Sequence, residues 1–459
     1  MSLDAGRFSR DKRQPQVSPN PTMSNAFTPL PSQSRPTNYR WVVCGLLFFA
    51  TTINYIDRQI LALIKPILDE QLHWTNEQYG LTTSFFSAAY AASLLVFGWF
   101  VDKFGTKIGY AVSIAMWSVA AICHAFVASI SGFYVARVAL GLGEGGNFPS
   151  AIKAVALWFP KRERATATAI FNSGTNVGAI IAPLTVPAIA LTLGWHWAFI
   201  FAGLAGFLWL FLWFPFYNVP EKIKATNAAE LDHIASDRDD TSRDGEKVSW
   251  LGLLGYRQTW SFVIAKGLTD PVWWFFLTWL PDFFKQTRGL DLKKGALYVA
   301  VIYGIATVLS IFGGYVVGAM VKSGWSVTRA RKTGMFFFAV CVLPILFVKD
   351  VDVWPAVLII ALACSAHQAW SANLFTTASD MFPKRAVASV VGLGGMVGSG
   401  MNIAFPIITG VILDRFKAQN NITGGYATVF AICAGAYLVA FAIQHVLAPK
   451  FEMVTLKDA

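Results

Sequence analysis

The sequence predicts an all-α membrane protein of twelve transmembrane helices, arranged as two pseudo-symmetric halves of six. Three observations predict it. The 459 residues are 55% apolar and only 14% charged, the balance of a polytopic membrane protein rather than a soluble one. Twelve mostly apolar stretches reach the length of about 20 residues that a bilayer core of roughly 30 Å demands. The tetrapeptide Phe-Pro-Lys-Arg begins at 159 and again at 382, each time after the fourth span of a half, so the halves read as repeats.

Residues 1–38 are rich in Ser, Pro, Asn and Gln and lack an apolar core, so a disordered tail is expected rather than a signal peptide. The first six spans fall near 41–64, 78–101, 108–129, 132–158, 165–192 and 196–217, and make a half over 39–217. A charged, polar stretch at 218–258 is expected to be a partly helical linker. The second half, 259–447, carries spans near 259–284, 295–321, 330–348, 354–381, 388–413 and 425–447, followed by a tail at 448–459.

Charge placement orients the chain. Of the 37 Lys and Arg, 25 fall in the tails, the linker and the loops after even-numbered spans, and 8 in the opposite loops. The excess of basic residues on one side predicts that both termini and the linker are cytoplasmic. The formal net charge of +11 therefore reports topology, and no nucleic-acid partner is expected. Cys44, Cys123, Cys341, Cys364 and Cys433 all fall within predicted spans without a CxxC pair, and buried free thiols are expected. The six histidines are scattered, so neither a metal site nor a cofactor is predicted. A membrane enzyme lacks a nucleophile elbow or phosphate loop, and a receptor would need a signalling domain.

The informative residues are charges within spans. Asp57 and Arg58 sit about two-thirds of the way across the first span, where a charge costs roughly 2.5–3.5 kcal/mol, so they are expected to face a polar cavity and pair there. Arg137 and Glu144 in the fourth span are seven apart and share a helix face, with Tyr55 and Tyr90 adding hydroxyls. A carboxylate bound by the fork of Arg58 or Arg137 removes countercharge from Asp57 and Glu144, which couples anion binding to proton uptake. In the seventh span Lys266 and Asp270 stand four apart, before Trp273 and Trp274. In the tenth, His367, Trp370 and Ser371 share a face flanked by Gln368 and Asn373, a set suited to a polyhydroxylated ligand.

Two loops echo each other. "GWFVDKFGTKIGY" from Gly98 links spans two and three, and "GGYVVGAMVKSGW" from Gly313 links spans eight and nine. A small residue at Gly98 is expected to allow close helix contact, and Asp102 to pair with a basic residue or a helix N-terminus. Gly98, Asp102, Lys103, Gly105 and Lys107 resemble the gating-loop signature of the major facilitator superfamily. Thr106 stands where that family often has a basic residue, and Gly318 replaces the acid in the second copy. The resemblance covers about residues 40–450 and implies alternating access around a midplane site.

The first-span Asp-Arg, Arg137 with "GLGEGGNFP", and "AHQAWSANLFTTASDMFPKRAVASVVG" are similar to the anion:cation symporter family, and within it to bacterial hexuronate transporters. That resemblance implies a monomeric, proton-coupled symporter of a sugar-acid anion in the bacterial inner membrane, with Asp57 and Glu144 as proton-coupling acids and Arg58 and Arg137 as anion contacts or their regulators. Tyr90 and Thr175 match cavity-facing positions, where an amide often replaces Thr175, and Gly395 stands where some relatives have Asn. A symporter of an aldonate, glucarate or aromatic carboxylate stays open as an alternative, as does a drug-proton antiporter. Two arginines beside the cavity favour anions over the latter.

Overall fold

Satisfying every backbone amide inside lipid forces this chain into helices, and the computed structural model, which describes residues 35–236 and 250–455, is helical almost throughout. The first six spans are α1 (Tyr39–Leu72), α2 (Asn76–Phe104), α3 (Thr106–His124), the pair α4 (Ile130–Glu144) and α5 (Asn147–Trp158), α6 (Lys161–Thr192) and α7 (Trp195–Phe216). The linker contributes α8 (Ala228–Ala235) and α9 (Trp250–Leu253). The second six are α10 (Arg257–Arg288), α11 (Leu292–Lys322), α12 (Val327–Val342) continued by a 3-10 stretch to Asp350, α13 (Val353–Met381), α14 (Lys384–Ala418) and α15 (Ile422–Leu447). The expected tail at 1–38 falls almost wholly outside the described residues.

Ten of these helices, among the described residues, are individually long and apolar enough to cross a membrane. The other two spans of the twelve-helix fold are the fourth and the seventh, which are broken or more polar. The seventh, α10, carries Lys266, Asp270 and Asp282. The fourth, expected as one helix, is broken between Glu144 and Asn147. The cause is local: Pro149 has no N–H to offer the Gly145 carbonyl, and its ring crowds that turn.

Chain punctuation follows the usual chemistry. Thr75 and Gln78 form a capping box at the start of α2, and Ser129, Asp291, Ser326 and Asn421 cap α4, α11, α12 and α15. Gly105 turns α2 into α3 with φ of 82°, a conformation that favours glycine. Within the halves α1 packs on α6 and α10 on α15, while α2 against α14 and α6 against α11 join one half to the other. These are spans two and eleven, and five and eight, the pairing of two related six-helix units.

The hydrogen bonds joining the halves gather at the end where α1 turns into α2. Lys65 Nζ reaches Asp69 at 2.8 Å and, across the halves, Asp282 at 2.9 Å. Tyr426 donates to the other oxygen of Asp282. Asn76 and Glu77 donate backbone N–H groups to Asp414 at 3.0 and 2.8 Å, and Tyr79 donates to the Thr278 carbonyl at 2.8 Å. This end is closed.

Two expectations need correction. Gly98 was expected to let helices approach closely, yet a Cβ there would meet open space; the close approaches are instead made by Gly80 and Gly410, at the α2–α14 seam. The thiols were expected to be buried, but Cys123 is exposed and Cys341 is half-buried. An apolar span has an outward face as well as an inward one, and membership of a span does not say which face a side chain takes.

Candidate functional site

The four charges of the first and fourth spans meet. Arg58 Nε donates to Glu144 Oε2 at 2.6 Å, with both side chains almost wholly buried. Neighbouring residues on a helix point about 100° apart, so Asp57 does not share this bond. Both Asp57 oxygens lack a hydrogen-bond partner, as do Nε and Nη1 of Arg137, Oε1 of Glu144 and the side-chain amide of Asn54. One directed ion pair thus sits beside an acid and a guanidinium that keep unused capacity. The small residues of "GLGEGG" bring α4 against its neighbours: a Cβ at Gly141 would strike the Phe86 carbonyl at 2.5 Å, and one at Gly143 the Trp117 backbone at 2.5 Å.

Aromatic rings surround Arg58. Its guanidinium carbon lies 4.5 Å from the Tyr90 ring centre, 5.1 Å from Tyr55, and 5.5 Å from each of Phe86 and Trp274. Arg137 lies 4.9 Å from Phe86. Each such contact is worth about 0.5–2 kcal/mol when desolvated. The rings therefore hold Arg58 while also separating it from open space.

Beyond the rings lie two cavities between the halves. One, of about 180 Å³, is lined from the first half by Tyr55, Asn172 and Thr175, and from the second by residues of α10 and α13 that include His367, Gln368 and Ser371. The other, of about 220 Å³, is lined by Ser87, Tyr90, Lys266, Gly395, Ser399 and Asn402, among others. Asp270 and Trp274 line both and form the wall between them. Arg58 and Arg137 line neither of these two cavities; they line a void of about 10 Å³, with space for a single water.

Lys266 Nζ donates to Asp270 Oδ2 at 2.6 Å and lies 4.6 Å from the Phe375 ring centre. Pro271 follows Asp270 and leaves the Gly267 carbonyl without its helical partner, which loosens α10 at this turn. His367 Nδ1 meets the Tyr437 hydroxyl at 2.6 Å, and its ring stacks on Trp273 at 5.4 Å. The imidazole is thereby fixed with one edge toward the first cavity.

Not every expected residue reaches the cavities. Trp370 was grouped with His367 and Ser371, but it is fully buried and packs edge-on against Tyr437 at 5.6 Å. Asn373 was expected to flank them, yet its amide accepts from Arg331 at 3.2 Å, a bond within the second half. A helix of 3.6 residues per turn carries Asn373 away from the face of Gln368 and Ser371. Conversely, Asn172, Ser87, Ser399 and Asn402 line the cavities without having been singled out, because uncharged polar residues are common in membrane helices and give no signal of their own.

The loop signature makes its contacts within the first half. Asp102 accepts from Lys153 of α5 at 2.7 Å. Lys103 lies over the Trp99 ring at 4.9 Å, and the Lys107 carbonyl accepts from Trp213 at 3.0 Å.

A dozen membrane-crossing helices in two related halves, with polar cavities between them and buried charges alongside, define a transporter of the alternating-access type. The chain belongs to the Major Facilitator Superfamily, whose family model matches residues 47–406. It is 30% identical over 428 residues to the hexuronate transporter of Escherichia coli (strain K12), covering 91% of this chain and 97% of that protein. It is 32% identical over 278 residues to the galacturonate transporter of Dickeya chrysanthemi, covering 60% of this chain and 81% of the relative. Its fold matches the crystal structure of a bacterial homologue of the human lysosomal transporter Spinster, inward-facing and occupied, with a TM-score of 0.74 at 16% identity, covering 90% of this chain and 97% of that one. The protein is a multi-pass membrane transporter and not an enzyme.

Proposed function

We propose that this transporter carries a sugar-acid monoanion, a hexuronate such as glucuronate or galacturonate, into the bacterial cytoplasm together with protons. It works as a monomer in the inner membrane, with both termini and the linker cytoplasmic. The observation that carries the reading is the junction between the buried acid–arginine cluster and the two cavities. Tyr55, Tyr90 and Trp274 each line a cavity and also face Arg58. A ligand that moves these rings moves Arg58, and so changes the countercharge that Glu144 and Asp57 receive. Asp57 takes up a proton without breaking a hydrogen bond, because neither of its oxygens is engaged.

The cavities suit the cargo. Together they lie at the lower end of the roughly 300–1,000 Å³ range of small-ligand sites, and they combine an ammonium with amides, hydroxyls and indole faces. The distribution of Lys and Arg supports the orientation, and the end closed by Lys65, Asp282 and Asp414 is then extracytoplasmic, which makes the structure inward-facing. In this reading Asp57 and Glu144 carry the protons, while Arg58 and Arg137 act from behind the aromatic rings.

Asp57→Asn and Glu144→Gln test the coupling. An amide copies the protonated acid and cannot release a proton, so the empty carrier fails to reset. Counterflow uses the loaded carrier alone. Both variants should lose accumulation of labelled glucuronate driven by a pH gradient in proteoliposomes, and at least one should retain exchange. Accumulation at the parent level in both sinks the coupling scheme.

A further inference from the structure

We propose that Asp270 is a built-in competitor for the substrate carboxylate: the incoming anion displaces it from Lys266, and the freed Asp270 then accepts hydrogen bonds from the substrate's hydroxyls. The site therefore admits a carboxylate only when it also carries hydroxyl donors. This inference rests on the proposed sugar-acid reading and deepens it.

Access decides which cation meets the ligand. Among the described residues lining the two cavities, Lys266 is the only cation. Arg58 is already bonded to Glu144 and enclosed by four rings. An anion entering between the halves thus finds an ammonium that Asp270 occupies at 2.6 Å. Two carboxylates beside one ammonium repel each other, and the covalently tethered one can yield only by turning.

The surroundings of the pair leave room for that turn. Asp270 Oδ2 lies where a Cβ at Gly398 would come within 2.6 Å, so in its paired position the carboxylate is pressed into a notch of α14. Gly394 provides the same notch for Phe262 and the Lys266 stem, while a Cβ at Gly395 would meet nothing. The carboxylate of the ligand has open space beside Lys266, next to Gly395 and Ser399. Asp270 faces the other cavity as well, where Asn172, Gln368 and Ser371 surround the volume that sugar hydroxyls would fill.

The exchange sets specificity. A hydroxylated acid replaces both partners, giving Lys266 a new anion and Asp270 new donors. A plain carboxylate leaves Asp270 buried without a donor, and a neutral sugar leaves the Lys266–Asp270 bond to be broken for no anion in return. An unpaired charged group in such a site is penalised heavily.

The test is binding of labelled glucuronate to the purified full-length protein in lipid nanodiscs, with glucose and hexanoate as competitors. In the parent, unlabelled glucuronate should compete and neither glucose nor hexanoate should approach it. Asp270→Asn should bind hexanoate about tenfold more tightly than the parent does, the scale of one charge-assisted hydrogen bond no longer displaced, while glucuronate, which already replaces both partners, changes less. Gly398→Ala keeps both charges but pushes Asp270 from its notch, and should shift hexanoate affinity the same way by less. Lys266→Gln should weaken glucuronate at least tenfold, and the double variant Lys266→Gln/Asp270→Asn, which leaves no unpaired charge, should bind it as weakly. Hexanoate competing as well as glucuronate in the parent overturns the inference whatever the variants do. So does an Asp270→Asn or Gly398→Ala protein of parental stability that binds hexanoate no more tightly than the parent. If the parent binds none of the three compounds, the sugar-acid reading falls and this inference with it; if it binds glucuronate but the variants fail as described, only the inference falls.

Discussion

Adding one methyl group at Gly80 should open the closed end of this transporter. A Cβ there would lie 2.3 Å from the Pro406 carbonyl oxygen, 2.9 Å from its carbon and 3.3 Å from the Ile407 Cα. All three are backbone atoms of α14, so no side chain can turn aside. Relief requires α2 and α14 to part by roughly 1 Å, the shortfall from ordinary contact. Gly410 makes the reciprocal contact, with its Cβ position 2.4 Å from the Asn76 carbonyl oxygen. Overpacking of this kind costs about 1–3 kcal/mol. The cost falls on the closed state alone, because the opposite state separates the two helices here. The equilibrium should shift about 5–150-fold toward the state open at this end. Spin labels at the exposed positions His73 and Lys417 report the opening as a longer interlabel distance. Gly80→Ala and Gly410→Ala should each raise the long-distance population, whereas Gly45→Ala, where a Cβ meets nothing, should not. Distance distributions in both seam variants identical to the parent's would refute the idea that backbone contact limits closure.

Three further outcomes are expected. A cysteine at Ser236, at the exposed end of α8, in a background lacking Cys123 and Cys341, should react with an impermeant maleimide only from the cytoplasmic side; labelling in intact cells overturns the orientation. Arg137→Lys keeps the charge and loses the planar fork, and because Arg137 lies behind Phe86 it should slow proton-driven uptake several-fold while leaving the glucuronate KM within about twofold; a large rise in KM instead makes Arg137 a direct anion contact. The linker helix should hold its place down to mildly acidic pH, as measured by quenching of a fluorophore at Ser236. Burial raises the Glu230 carboxyl, but hydrogen bonds from the Thr37 hydroxyl, the Arg40 and Tyr39 backbone and the Arg40 side chain outweigh it, leaving the group below its ordinary 4.5. A depressed value means stabilisation present above the unfolded value and lost as pH falls through the folded one, so release should begin only below the ordinary glutamate value, and release between about pH 5 and 8 would contradict it.

The sequence by itself determined the solvent, the twelve spans and the presence of a polar centre. Lipid imposes those answers locally: about 20 apolar residues are needed wherever a helix crosses, and a charge such as Asp57, Arg58, Arg137 or Glu144 is costly enough in a span to mark itself. The repeated Phe-Pro-Lys-Arg added the relation between the halves. Which charges bond was not legible there. Arg58 selects Glu144, 86 residues away, over its own neighbour Asp57, and Lys65 closes one end by reaching Asp282 at a separation of 217. Such choices depend on how helices rotate and dock, and a helical period fixes only relative positions on one face. For the same reason Trp370 and Asn373 share a helix with His367, Gln368 and Ser371 yet stand outside the cavities. Only the tertiary structure set Arg58 behind a screen of rings and left Lys266 in front of it, because the rings come from three helices whose meeting no single stretch of the sequence encodes.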